Sequence, residues 1–294
     1  MHSALRGFMR DHGRWFVLTG AGVSTASGIP GYRDELGRWK RSPPVQLQDF
    51  LQSAATRRRY WARSLVGWLM IARARPNAAH EALARLQAAG RIEQLVTQNV
   101  DGLHQQAGSR EVTELHGNLA RVICLDCRRE YPRSRIQEIL ERDNPEFVGV
   151  AARAAPDGDA DIEPAQLESF AVPPCPNCGG LLKPDVVFFG EGVPRARVDA
   201  AMAGLDRADA MIVFGSSLMV YSGYRFCERA SSLGKPIVLV NQGVTRADPI
   251  ATLKLDESCI AALDILLKLV AESSGDERAR AGDFVIQRAP NASG

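Results

Sequence analysis

Four short apolar runs recur along the chain: WFVL at 15–18, IEQLVT at 92–97, AMIVFG at 210–215 and IVLVN at 237–241. Each breaks into a polar or glycine-rich turn: TGAG, QNVDG, GSSL and NQG. Apolar runs of this length, bounded by turn residues, read as strands buried on both faces. Helical periodicity intervenes at about 78–89, 198–205, 224–233 and 260–272. Strands alternating with helices predict an α/β fold on a doubly wound parallel sheet. Such sheets bind ligands at the carboxyl ends of their strands, where the four turns would meet.

Two stretches interrupt the alternation. Residues 45–75 carry a helical pattern, with Trp61, Leu65, Trp68 and Leu69 on one face, and read as an appended helical lobe. Residues 120–185 hold paired cysteines; within them AARAAPDGDADIEPAQLES reads as a solvated loop. Periodicity weakens near the end, so 276–294 are expected to form a partly disordered tail.

Composition narrows the setting. At 294 residues, 45% of them hydrophobic and 24% charged, the chain can bury a core in one large domain, or in a large and a small one. A net charge of +2 is too mild to argue for nucleic acid, and Arg57, Arg58, Arg59 and Arg63 fit a solvated helix face better than an anion site. No run reaches the ~18 apolar residues of a membrane span. The first strand begins at 15, too soon for the preceding segment to be a transit peptide. A cytoplasmic protein without nucleic-acid or membrane partners is expected, a monomer by preference.

Six cysteines sit at 124, 127, 175, 178, 227 and 259. Cys124 with Cys127 and Cys175 with Cys178 form two Cys-x-x-Cys pairs, a spacing that favours one tetrahedral zinc over four unrelated buried thiols. The 47 residues between the pairs exceed the span of a compact zinc ribbon, so an insertion must loop out. Four sulfur ligands leave no open coordination position, which makes such a zinc structural.

The loop TGAGVSTASGIPGYRD at 19–34 leaves the first strand as a phosphate-binding turn would. Gly20 and Gly22 permit close backbone approach, and Ser24, Thr25 and Ser27 add hydroxyls; a tight strand–helix turn explains the glycines equally well. A dinucleotide fingerprint needs a third glycine where this chain has Thr25. Arg33, further on, can clamp a pyrophosphate. QNVDGLH at 98–104 alternates polar groups at a strand exit and suits ribose and amide recognition. His104 and the His116 of ELHGN are each unpersuasive alone, since a lone histidine is more often structural.

Taken together, GAGVSTASGIPGYRD, TQNVDGLH, ELHGN, the two cysteine pairs, KPDVVFFGE, GSSL and LVNQG resemble the sirtuin family, in the family's order across residues 15–260. RYWARSLVGW at 59–68, GSSLMVYSGYRF at 215–226 and the stretch 239–259 are most similar to its class II, mitochondrial-type branch. The resemblance implies an NAD-dependent protein-lysine deacylase that releases nicotinamide and O-acyl-ADP-ribose, with acyl-lysine proteins or peptides as partners. It implies a Rossmann-like NAD-binding domain from 1–44, 76–119 and 185–275. A smaller domain would comprise a helical module, 45–75, and a zinc module, 120–184.

By the same resemblance, NAD is a consumed co-substrate. Gly20, Ala21, Gly22 and Arg33 would hold its pyrophosphate, with Gly215, Ser216 and Ser217 also serving the phosphates. Ile29, Asn99 and Asp101 would line the nicotinamide pocket, and Gln98 would contact the nicotinamide ribose. Asn241, Gln242 and Gly243 would hold the adenine ribose, with Cys259 beside the adenine. His116 matches the catalytic histidine, a general base toward a ribose hydroxyl, and Asn99 and Asp101 complete the catalytic set. His104 has no such counterpart. The acyl-lysine would lie between Val187, Phe188, Phe189 and Gly190 on one side and Leu218 on the other, adding a strand.

Gly31 departs from the family, which carries an acid there, and implies a more mobile loop. Tyr60 and Arg63 match a Tyr-x-x-Arg pair that reads acidic acyl groups in some sirtuins; packing and solvation are the plainer explanation. Mono-ADP-ribosyl transfer and NAD sensing without turnover are the competing functions. A dehydrogenase is the weakest, lacking the third glycine.

Overall fold

The computed structural model describes residues 1–40, 44–150 and 167–286, of which 274–286 are described by their backbone alone. Six strands form the main sheet: β1 (Trp15–Thr19), β2 (Ile92–Thr97), β3 (Thr113–Glu114), β7 (Ala210–Phe214), β8 (Ile237–Val240) and β9 (Leu253–Leu255). They run parallel in the order β3-β2-β1-β7-β8-β9, doubly wound outward from β1, as the alternating pattern predicted. The four expected strands are present. The two added, β3 and β9, are edge strands of two and three residues, too short and polar to leave a run.

Alternation along the strands explains why the runs are apolar throughout. Trp15 and Val17 pack into one hydrophobic cluster with α1 (His2–Asp11), α4 (Ala78–Ala88) and α9 (Cys259–Ile286). Phe16 and Leu18 pack into another with α7 (Arg195–Arg207) and α8 (Tyr221–Ser232). Both faces are covered, so neither alternate can be polar. α1, not foreseen, buries Leu5 and Met9 against this layer.

A second sheet of three antiparallel strands, in the order β5-β4-β6, comprises β4 (Gly117–Cys124), β5 (Glu130–Pro132) and β6 (Leu182–Val186). With α2 (Leu47–Gln52), α3 (Ala54–Arg73) and α6 (Arg133–Asp143) it encloses a third cluster around Phe50, Trp61 and Ile136. The segment boundaries read at 119 and 185 fall inside β4 and β6. The backbone of α9 continues through 276 to Ile286, where Ala, Glu and Arg sustain a helix without an apolar stripe. Positions 151–166, most of the stretch read as a solvated loop, and 287–294 lie outside the described residues. Among the described residues no helix is long and apolar enough to cross a membrane.

Candidate active site

The tips of β1, β7 and β8 meet where the sheet reverses its strand order. Gly20 N–H donates to the Phe214 carbonyl at 3.0 Å, Gly22 N–H to that of Gly215 at 2.8 Å, and Gly215 N–H to that of Val240 at 2.9 Å. A Cβ at Gly22 would lie 2.7 Å from Gly215 Cα, and one at Gly20 2.7 Å from Ser216 Cβ. Gly215 itself holds φ +60°. These glycines are therefore demanded by one backbone crossing another, independently of any phosphate.

Beyond them opens a cavity of about 660 Å³ lined by Gly20, Ala21, Gly22, Arg33, Gln98, Asn99 and His116. Val187, Phe188, Phe189, Gly190 and Tyr60 line it as well, as do Gly215, Ser216, Ser217, Leu218, Asn241, Gln242 and Cys259. Ile29 and Asp101 meet instead in a small niche adjoining it, shared with Ser24, Gln98 and Asn99. Gly243 and Arg63 border neither: a Cβ on Gly243 would strike the Glu35 backbone, and its N–H donates to Asp256.

The niche is held by a directed chain of hydrogen bonds. Asn99 Nδ2 donates to the Gly20 carbonyl at 3.1 Å and to Ser24 Oγ at 3.0 Å, and Ser24 Oγ donates to Asp101 Oδ2 at 2.7 Å. Asp101 Oδ1 accepts from Leu103 N–H at 3.0 Å, at the first residue of α5 (Leu103–Gln106). Burial raises the Asp101 carboxyl above its ordinary range, against these donors. Behind the chain, His80 Nε2 lies 3.4 Å from Ser24 Oγ, and His104 Nε2 lies 2.8 Å from Thr19 Oγ1. His104 is buried under the sheet tips and borders neither the cavity nor the niche.

His116 ends the link between the two sheets. Its Nδ1 lies 2.9 Å from the Gln98 carbonyl, which can only accept, so Nδ1 carries the proton. Nε2 therefore presents a lone pair, and Ser222 Oγ donates to it at 2.8 Å. Burial pushes the imidazole down to about 4, and Arg197 and Arg225 add repulsion against its cation. Ser222, at the start of α8, was missed from the sequence; the signal was a hydroxyl one residue beyond GSSLMVY. Gln98 also accepts from Ser216 Oγ at 2.6 Å, so two strand tips share one amide.

The cavity walls differ in character. Phe188 is buried among Phe50 and Tyr60, with ring centroids 5.2 and 5.1 Å away, whereas Phe189 packs on Trp39 at 5.5 Å. Arg33 stacks 4.0 Å from the same Trp39 ring and donates to the Gly37 carbonyl at 2.8 Å. Leu218 takes φ +58°, a costly conformation for a branched side chain and one that clusters at binding sites. Burial raises the Cys259 thiol to about 12, which keeps it a neutral apolar contact.

The four paired cysteines converge at the outer end of the small sheet, their sulfurs within 4.8 Å of one another. A tetrahedral zinc at about 2.3 Å from each sulfur requires separations of about 3.8 Å. Cys124 and Cys178 stand 3.6 Å apart, Cys127 and Cys175 3.8 Å. The residues fit the ion. Asp126 accepts from Leu181 N–H at 2.9 Å, and a Cβ at Gly180 would collide with that carboxylate, so each knuckle braces the other.

Comparison with known proteins agrees with this architecture. The model of the Sir2 family matches residues 20–222. An "NAD-dependent protein deacetylase" of Xanthomonas axonopodis pv. citri (strain 306) is 57% identical over 265 residues, covering 90% of each chain. An "NAD-dependent protein deacetylase 2" of Bradyrhizobium diazoefficiens is also 57% identical, over 90% of this chain and 97% of its own. A solved structure described as "Sir2-p53 peptide-NAD+" superposes with a TM-score of 0.74 at 31% identity, over 93% of this chain and 99% of that one. The chain belongs to the Sir2, or sirtuin, family.

Proposed function

We propose that the protein is an NAD-dependent protein-lysine deacylase of the deacetylase type, releasing nicotinamide and O-acyl-ADP-ribose. The observation that carries this reading is the fixed tautomer of His116. Its Nε2 lone pair faces a cavity that adjoins the Asn99–Asp101 niche. NAD, when bound, supplies a ribosyl carbon from which nicotinamide departs and to which the acyl oxygen attaches. Asn99, Asp101 and Ile29 would hold the carboxamide end, and Gln98 the adjoining ribose. Gly20, Ala21, Gly22, Arg33, Ser216 and Ser217 would hold the phosphates, and Asn241, Gln242 and Cys259 the adenosine end.

A neutral imidazole accepts a proton at Nε2, and the Gln98 carbonyl stabilises the charge through Nδ1. Ser222 must release Nε2 for a substrate hydroxyl to take its place. Phe188 and Tyr60 would wall an apolar acyl tunnel. Cys124, Cys127, Cys175 and Cys178 would hold a structural zinc.

Relatives named as deacetylases at 57% identity support the reaction class. The class II assignment rests on the likeness at 59–68, 215–226 and 239–259; the relatives compared are bacterial. A monomer in the cytoplasm completes the proposal, supported by cysteines grouped for a metal as a reducing compartment permits.

The test is mass spectrometry of acetyl-, longer acyl- and glutaryl-type lysine peptides incubated with the protein and NAD. NAD-dependent acyl loss with O-acyl-ADP-ribose formed is expected, falling about 10²–10⁴-fold in His116→Ala. Nicotinamide release with no acyl loss from any peptide sinks it.

A further inference from the structure

Near the start of α8 an unneutralised arginine meets the mouth of the cavity. Tyr221 opens the helix with 52% of its surface exposed, marking this as the rim. Arg225, one turn on, lines the cavity and lies 5.2 Å from the Tyr221 ring. Its Nε is buried without a hydrogen-bond partner, and its guanidinium makes no ion pair among the described residues. Arg246 approaches the same ring at 5.7 Å and that of Tyr224 at 4.3 Å, likewise without a carboxylate.

Neighbouring arginines are neutralised. Arg229, one turn further, pairs with Asp206 at 3.0 Å, and Arg197 with Asp185 at 3.6 Å. The nearby acids are also committed: Asp185 to Arg121 at 3.0 Å, and Glu191 to Lys183 at 2.9 Å. A buried guanidinium nitrogen without an acceptor is costly, and the planar fork matches a carboxylate.

We propose that Arg225, backed by Arg246 and the Tyr221 ring, forms an anion-reading subsite that selects acyl-lysine peptides carrying a carboxylate side chain beside the modified lysine. The carboxylate belongs to the peptide rather than to the acyl chain. The acyl wall of Phe188 and Tyr60, backed by Phe50, is aromatic and buried, whereas Tyr221 stands exposed at the mouth. The proposal rests on the deacylase reading of the same cavity and adds a substrate preference to it.

The experiment measures kcat/KM at saturating NAD for acetyl-lysine peptides with Asp, Glu or Gln at each flanking position, and for a neutral peptide with a glutaryl-type acyl group. An acidic side chain at one flank is expected to raise kcat/KM about 10- to 100-fold over Gln, through KM. Arg225→Gln is expected to collapse that ratio toward one, with Arg246→Gln reducing it less. General damage to the fold scales both peptides together and leaves the ratio alone. A ratio near one in the unaltered protein overturns the inference while leaving the deacylase reading intact. So does a ratio that survives Arg225→Gln, a preference that follows the acyl chain instead, or a loss that falls on the KM for NAD. Failure of the deacylase reading shows separately, as no acyl loss from any peptide.

Discussion

The two sheets bury polar groups of different kinds. The parallel sheet takes them inside, uncharged: Thr19, Thr97, Ser24, His80 and His104 are all buried, linked through hydroxyl and imidazole contacts. The antiparallel sheet and its helices bury cations and amides as well, Lys183, Arg133 and Gln137 among them, and gather four thiols at the sheet's outer end. The first covers both faces with helices and closes by hydrogen bonding; the second is small for its core and draws on an ion. Cohesion from burial and cohesion from coordination thus adjoin within one chain, and each has its own way to fail.

Removing the metal is the largest disturbance. Structural zinc sites are worth on the order of 10 kcal/mol in small domains, so chelation or Cys127→Ser is expected to unfold the small sheet. Hydrogen exchange should then show protection lost in β4 and β6 and kept in β1 and β7. Equal loss in both sheets would erase the distinction.

Acid attacks the other sheet. His80 and His104 are held down to about 4 and about 3, chiefly by burial, against 6.5 when unfolded. Their contribution is complete above pH 6.5 and declines as the pH falls toward 3, on the order of 3 kcal/mol from each by pH 4. Exchange of β1 and β2 amides across that window reads this, and replacing His104 with Leu should flatten the slope.

A smaller effect is expected of Gly22→Ala, whose Cβ would press on Gly215. About 1–3 kcal/mol of stability should be lost, measured by urea titration. The smallest is Ser222→Ala, which removes a donor that only the neutral imidazole can accept. The pKa of His116 then rises, and the acid limb of kcat/KM moves to higher pH with less than about a tenfold loss of rate. An unmoved limb would show that the Ser222 contact does not tune the base.

Most of this was legible in the sequence, for identifiable reasons. Strands covered on both faces must be apolar at every position, so β1, β2, β7 and β8 stood out, and paired cysteines advertise their partner by spacing. The edge strands β3 and β9 are too short to bury a run. α1 was obscured by its mixed composition, though Leu5 and Met9 stand one helical turn apart. Among site residues, motif glycines invited a phosphate reading, while the structure shows backbone crossings that demand them in any case. Ser222 and Arg225 act through where α8 points, which periodicity does not encode.

One contact carries a consequence for the cavity wall. Val187 N–H donates to the His116 carbonyl at 2.8 Å, directly after the Gly117–Val186 rung that ends the small sheet. His116 and the Val187–Phe189 side of the cavity thus meet on the last step of a zipper whose far end carries the four cysteines. A disturbance at the cysteine end of the small sheet is therefore expected to reach the wall of the cavity at its other end.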